Sequence, residues 1–185
     1  MVVERAAAAP APMVPSAPRL LLLLRHAKSA WPQGIADRDR PLSPRGEAAC
    51  LVMGGHLVAR GWRPDRLVAS PTRRTVETAR RVLAVLGGSP VVVEEDERLY
   101  GGEAAAVGAV VIETPPAVRC LLAVGHQPEL EALAERLLGG AVRLPTAALV
   151  AIELVHWQFA AGRLVDLATP KGLKATGGPG QSGVG

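Results

Sequence analysis

An arginine and a histidine, Arg25 and His26, stand directly after a run of five leucines, Leu20 to Leu24. About a hundred residues on, a second apolar run, Cys120 to Val124, ends in Gly125-His126. A guanidinium stays charged and its planar fork can hold two phosphate oxygens at once. A neutral imidazole with a free lone pair can attack phosphorus, and a hydrogen bond from its other ring nitrogen to a backbone carbonyl would select that tautomer. The combination suits an anionic phosphoryl group and suggests an enzyme with a histidine nucleophile. A lone histidine after a strand is usually no more than a polar residue at a terminus. Here a third apolar run, Leu67 to Ala69, leads into Ser70-Pro71-Thr72-Arg73-Arg74-Thr75-Val76-Glu77-Thr78, an arginine pair opening a helix. Three strand ends then carry phosphate-compatible groups, and in open α/β sheets distant segments converge at the carboxyl ends of strands.

The elements that must position these residues alternate along the chain. Leu20 to Leu24 is short and continuously apolar, as expected of a strand buried on both faces. Ser43 is a candidate N-cap with Pro44 at the first helical position, and Gly61 is a stop. Between them Ala48, Leu51, Val52, Gly55 and Ala59 form one helical stripe, with His56 at its edge as a structural or solvated residue. Leu67 to Ser70, Val91 to Val93, Cys120 to Val124, Ala147 to Leu154 and Arg163 to Leu167 are the further strands. The last two would pair through the turn around Ala160-Ala161-Gly162. Helices are expected over Thr72 to Leu86, ended by Gly87-Gly88, over Gly102 to Ile112, and over Glu129 to Leu138. The pattern predicts a three-layer α/β/α sandwich with a mostly parallel central sheet. The loop from Ser29 to Leu42, with Trp31-Pro32 and Asp37-Arg38-Asp39-Arg40, could shape a pocket mouth or simply be a solvated connection.

Composition narrows the function classes. At 185 residues, 49% hydrophobic and 21% charged, the chain suits one globular domain. Its formal charge of +4 falls to +2 between Arg19 and Pro170, once Glu4, Arg5, Lys171 and Lys174 are set aside, so no nucleic-acid surface is expected. Aromatic residues make up 3%, too few for the stacking platforms that read single strands. Cys50 and Cys120 have no metal-site spacing and read as free thiols. Residues 1–18 are rich in Ala and Pro and resemble neither a secretory segment nor a membrane span. They are expected to be a flexible extension, and residues 174–185 a flexible Gly-rich tail, around a domain at 19–173. Cytoplasmic location, without a membrane partner, is the default expectation.

In order, Arg25-His26-Ala27-Lys28-Ser29, Leu42-Ser43-Pro44-Arg45-Gly46, Ser70-Pro71 with Arg74 and Thr78, and Val124-Gly125-His126-Gln127-Pro128 resemble the histidine phosphatase superfamily, also called phosphoglycerate-mutase-like. The match runs from Leu20 to about Leu173, including Pro170-Lys171-Gly172-Leu173. The compact chain and its Arg-His-Ala-Lys-Ser wording look most like the SixA-type phosphohistidine phosphatase branch. The resemblance implies that His26 is the nucleophile and becomes phosphohistidine. It implies that Arg25, Arg74 and His126 hold the phosphoryl oxygens, with Arg74 preferred over Arg73 by the family's spacing.

One position departs from relatives that cleave phosphate esters. They commonly carry a glutamate two residues after a leucine, whereas Leu99-Tyr100 is followed here by Gly101. Glu97 and Glu103 are the nearby substitutes. An alkoxide leaves poorly without a general acid, whereas a phosphorylated imidazole has a weaker P–N bond and can carry its own proton. The expected activity is therefore a metal-independent phosphatase with no cofactor, acting on phosphohistidine in a protein. The alternatives are a small-molecule phosphomonoesterase using Glu97 or Glu103, and a non-catalytic phospholigand-binding module. No zinc spacing and no Gly-rich Lys-Ser/Thr phosphate loop is present.

Overall fold

The computed structural model describes residues 18–87, 90–158 and 161–176. The leucine run forms β1 (Arg19–Arg25), and Leu21 to Leu24 are fully buried. Their alternating side chains face opposite layers of a six-stranded sheet. Chain order continues with α1 (Pro44–Ala59), β2 (Arg66–Ala69), α2 (Arg73–Val85), β3 (Val93–Glu95), α3 (Ala104–Ile112), β4 (Cys120–Gly125), α4 (Glu129–Leu138), β5 (Leu149–Leu154), β6 (Arg163–Ala168) and α5 (Pro170–Thr176). Across the sheet the order is β3-β2-β4-β1-β5-β6. The first four strands run parallel, while β5 is antiparallel to β1 and β6 to β5.

Leu21 and Leu23 pack with Val107 and Val110 of α3 and Leu130, Leu133 and Leu137 of α4. Leu22 and Leu24 pack with Cys50, Met53 and Leu57 of α1 and with Ala79 and Val82 of α2. Each fully buried leucine stabilises the fold by roughly 1.5–3 kcal/mol, so the run anchors both layers. This is the expected α/β/α sandwich with its mostly parallel sheet. Among the described residues no helix is long and apolar enough to cross a membrane.

Register carries the fold into function. Leu24 pairs with Val124 and Arg25 with Gly125, so His26 and His126 leave neighbouring strands at the same level. Ala69 of β2 also pairs with Val124, and the Ser70 N–H donates to the Val124 carbonyl at 3.0 Å. Three chain segments therefore leave the sheet in step.

Three expectations are corrected. The buried face of α1 is Gly46, Cys50, Met53, Gly54 and Leu57, whereas Leu51 of the expected stripe is 60% exposed. The reason is close approach: a Cβ at Gly54 would lie 2.6 Å from the Cβ of Val85, and one at Gly46 2.1 Å from the Lys28 carbonyl oxygen. Strand β3 lies two residues later than Val91 to Val93, with Val93, Glu94 and Glu95 opposite Leu67, Val68 and Ala69. It is an edge strand whose Glu94 faces out to Arg66, so charge there obscures the strand signal. The tail expected from residue 174 begins inside α5, a helix that packs Leu173 against the α1/α2 layer. Strands β5 and β6 pair as expected, and Gly87 follows α2 at φ +65°. Gly88, Ala160, most of the N-terminal extension and residues 177–185 lie outside the described residues.

Candidate active site

Beyond the strand ends a pocket of about 380 Å³ gathers Arg25, His26, Arg74 and His126, all four of the residues singled out for phosphoryl chemistry. The His26 N–H donates to the Gly125 carbonyl at 2.9 Å. Its ring Nδ1 lies 2.8 Å from the Ala27 carbonyl oxygen, which requires the proton on Nδ1 and leaves the lone pair on Nε2. Ala27 is itself anchored, because its N–H donates to Thr78 Oγ1 at 3.0 Å while that hydroxyl donates to the Arg74 carbonyl at 2.7 Å. Thr78 thus ties the first turns of α2 to the residue whose carbonyl orients His26.

Burial pushes the His26 pKa down to about 4, with the Ala27 contact opposing and Arg74, Arg25 and Arg40 adding to the shift. His126, with its ring centroid 5.1 Å from that of His26, is lowered to about 3, first by burial and then by His26 and Arg74. Its Nε2 lies 2.8 Å from Ser70 Oγ and 3.4 Å from Thr72 Oγ1. Thr75 closes this corner by donating to backbone carbonyls at 2.5 and 2.6 Å. Both imidazoles are accordingly neutral near pH 7. An NMR titration should find neither ring charged at pH 6, with protonation only toward pH 4 and below; a His26 midpoint near 6.5 would contradict this electrostatic picture.

The cations have defined anchors. Arg25 donates from Nη1 to the Leu144 carbonyl at 2.9 Å, leaving its buried Nε without a hydrogen-bond partner. Arg74, buried, donates to the Asp37 carbonyl at 2.6 Å and to Asp37 Oδ2 at 3.0 Å. Asp37 Oδ1 accepts from Arg40 at 2.8 Å, and the two guanidiniums hold the Asp37 carboxyl below its ordinary range, Arg40 more strongly. Arg40 also donates to Ser29 Oγ and to the Ala30 carbonyl, and lies against the Trp31 ring. The loop from Ser29 to Leu42 thus lines the pocket through Ser29, Trp31 and Arg40. Arg73 points elsewhere, to Glu77 at 2.7 Å on the exposed side of α2. His56 has a structural place, 2.8 Å from Asp166.

Neither substitute acid enters the pocket. Glu97 is exposed and ion-paired with Arg38, Glu103 caps α3 on the surface, and Gly101, at φ +67°, lines the wall instead. The loop read as a possible pocket mouth supplies Trp31 and Arg40 to the lining, whereas sequence reasoning missed Glu129. Only the helix start beside His126 hinted at Glu129. Among the described residues no three His, Cys, Asp or Glu side chains gather to hold a metal ion.

Residues 21–101 match the model of the histidine phosphatase superfamily, branch 1. An uncharacterized protein of Mycobacterium tuberculosis is 42% identical over 112 residues, covering 60% of this chain and 67% of that one. An uncharacterized chloroplastic protein of Arabidopsis thaliana is 31% identical over 170 residues, covering 86% of this chain and 76% of its own. Among solved structures, one from Agrobacterium tumefaciens, provisionally assigned as the phosphohistidine phosphatase SixA, superposes with a TM-score of 0.72. It is 26% identical and covers 83% of this chain and 99% of its own. With these likenesses the chain belongs to the histidine phosphatase superfamily, among its SixA-type members, and is a phosphatase.

Proposed function

We propose that the protein is a metal-independent phosphatase that works through a phospho-His26 intermediate and removes phosphate from phosphohistidine in a protein. The observation that carries this reading is the His26 ring, neutral and held through Nδ1 by the Ala27 carbonyl, in one pocket with the guanidiniums of Arg25 and Arg74. Nε2 attacks phosphorus, and the bond from phosphorus to the leaving nitrogen breaks with its electron pair going to that nitrogen. Arg25 and Arg74 hold the equatorial oxygens as charge redistributes. The mechanism requires Ser70 O–H to donate to His126 Nε2, 2.8 Å away, which puts the proton of the neutral His126 ring on Nδ1 for a phosphoryl oxygen. Water then attacks phosphorus and releases His26.

The leaving group supports the substrate class. Gly101 supplies no acid and neither expected substitute, Glu97 or Glu103, lines the pocket, which leaves Glu129 as its one carboxylate; with that carboxylate acting as an anion, a leaving group that brings its own proton is favoured. The similarity to proteins assigned as phosphohistidine phosphatases points the same way. The test is a released-phosphate comparison, with and without EDTA. Phosphohistidine protein should turn over fastest, aryl phosphates more slowly, unactivated alkyl phosphates slowest, and EDTA should change none of these rates. Alkyl phosphates as the best substrates would establish the small-molecule rival. Phosphate binding with no turnover would establish the binding module, and loss of activity restored by a divalent metal would defeat the metal-free mechanism.

A further inference from the structure

The pocket is lined by the cations Arg25, Lys28, Arg40 and Arg74, yet one carboxylate shares it. Glu129, the first residue of α4, has its Oε2 shielded from solvent and without any hydrogen-bond partner. A buried, unpaired carboxylate oxygen is costly. Arg74 and Arg40 are turned to Asp37 and Arg25 Nη1 to the Leu144 carbonyl, while Arg25 Nε, itself unpartnered, makes no bond to Glu129. The neighbouring acid is spent too, since Glu131 accepts from Leu144 N–H at 2.6 Å and Gln127 Nε2 at 2.7 Å. A bound phosphoryl group cannot satisfy Glu129, because anion would meet anion. With Oε2 itself shielded, a ligand meets this part-exposed side chain at its pocket-facing surface, and the group complementary to a carboxylate there is a donor on the part of the substrate that is not phosphate.

Resting on the phosphohistidine reading, we propose that Glu129 recognises the leaving group, its carboxylate accepting the N–H of the substrate imidazole at the nitrogen that does not bear phosphorus. When His26 Nε2 attacks, the P–N bond breaks and its electrons stay on the leaving nitrogen. The proton already on the other nitrogen makes the product neutral imidazole rather than imidazolate. Arg25, Lys28, Arg40 and Arg74 all oppose that proton, the neutral His26, His126 and Tyr100 rings add no charge, and Glu129 retains it. The role of the missing ester-cleaving acid at Gly101 is thereby replaced by an anion that keeps the substrate's own proton in place.

The rival explanation is structural, a negative charge favoured at a helix N-terminus. The two separate in the kinetics of Glu129→Gln on two substrates, a phosphohistidine protein and p-nitrophenyl phosphate. Leaving-group recognition predicts a fall of about tenfold or more in kcat/KM for phosphohistidine, the size of a lost charge-assisted hydrogen bond. It predicts a rise of about threefold for the aryl phosphate, whose anionic phenolate no longer faces a carboxylate. It also predicts that the alkaline limb of phosphohistidine turnover moves to lower pH. Equal losses on both substrates with an unmoved limb would overturn the proposal in favour of the helix terminus. A wild type that cleaves phosphohistidine and a variant that matches it would overturn the Glu129 role alone. A wild type that cleaves only the aryl ester would overturn the phosphohistidine reading and this role with it.

Discussion

Replacing His26 by alanine is expected to reduce turnover to background, a loss of about four to six orders of magnitude, as removal of a covalent nucleophile does. Wild-type protein quenched at neutral or alkaline pH should carry a phosphoryl group on His26, and acid quenching should lose it, because a phosphoramidate is acid-labile. A stable phosphoryl group on Ser29 or Ser70, found by mass spectrometry, would sink the assignment. The variant should still fold, since the ring lies beyond the last paired residue of β1 and carries little of the core. Its acid response should even be milder. The folded-state pKa of His26 is about 4 against an ordinary value near 6.5. Between those values the unfolded chain binds a proton that the folded chain refuses. Stability from this group is therefore full above pH 6.5 and drains away as pH falls through 4. A denaturant melt at pH 4.5 should show His26→Ala losing less of its neutral-pH stability than wild type loses.

Much of this site could be read from the sequence because the chemistry stands where apolar runs stop. The leucine run and Cys120 to Val124 became neighbouring strands in equal register, so the hundred-residue offset between His26 and His126 translated directly into rings 5.1 Å apart. Ser43 was equally legible, its side chain accepting from Gly46 N–H at 3.2 Å, because capping is a local matter. What depends on tertiary approach was not legible. The buried face of α1 includes Gly46 and Gly54, residues that carry no hydrophobic signal because close approach requires the absence of a side chain. Arg40 and Asp37 sit in a loop whose charges look solvated in one dimension. Only the folded loop turns Arg40 inward and sets Asp37, still half exposed, as a bridge between Arg40 and Arg74. Thr78 stood in the recognised pattern without a reason, and the reason is the Ala27 N–H more than fifty positions earlier in the chain.

Arg74→Ala should cost on the order of a hundredfold or more in turnover, while Arg73→Ala should cost little. The two arginines are adjacent in sequence and identical in charge, so bulk electrostatics cannot separate them; geometry must. Arg73 ends on Glu77, exposed on α2, a pair of the i,i+4 kind worth about 0.3–0.5 kcal/mol. Glu77 would still accept the Leu42 N–H at 2.9 Å without it. Arg74 is buried in the pocket wall, aimed by both of its bonds to Asp37. Removing it leaves the Asp37 carboxylate with Arg40 alone and, in the proposed mechanism, the transferring oxygens without one guanidinium. Arg74→Lys should fall between wild type and alanine, since a point charge survives but the planar fork that can serve Asp37 and a phosphoryl oxygen together does not. Steady-state kinetics on one aryl phosphate would suffice. Equal small losses in both alanine variants would show that the second phosphoryl-binding arginine lies elsewhere, with Arg40, already facing the pocket, as its replacement.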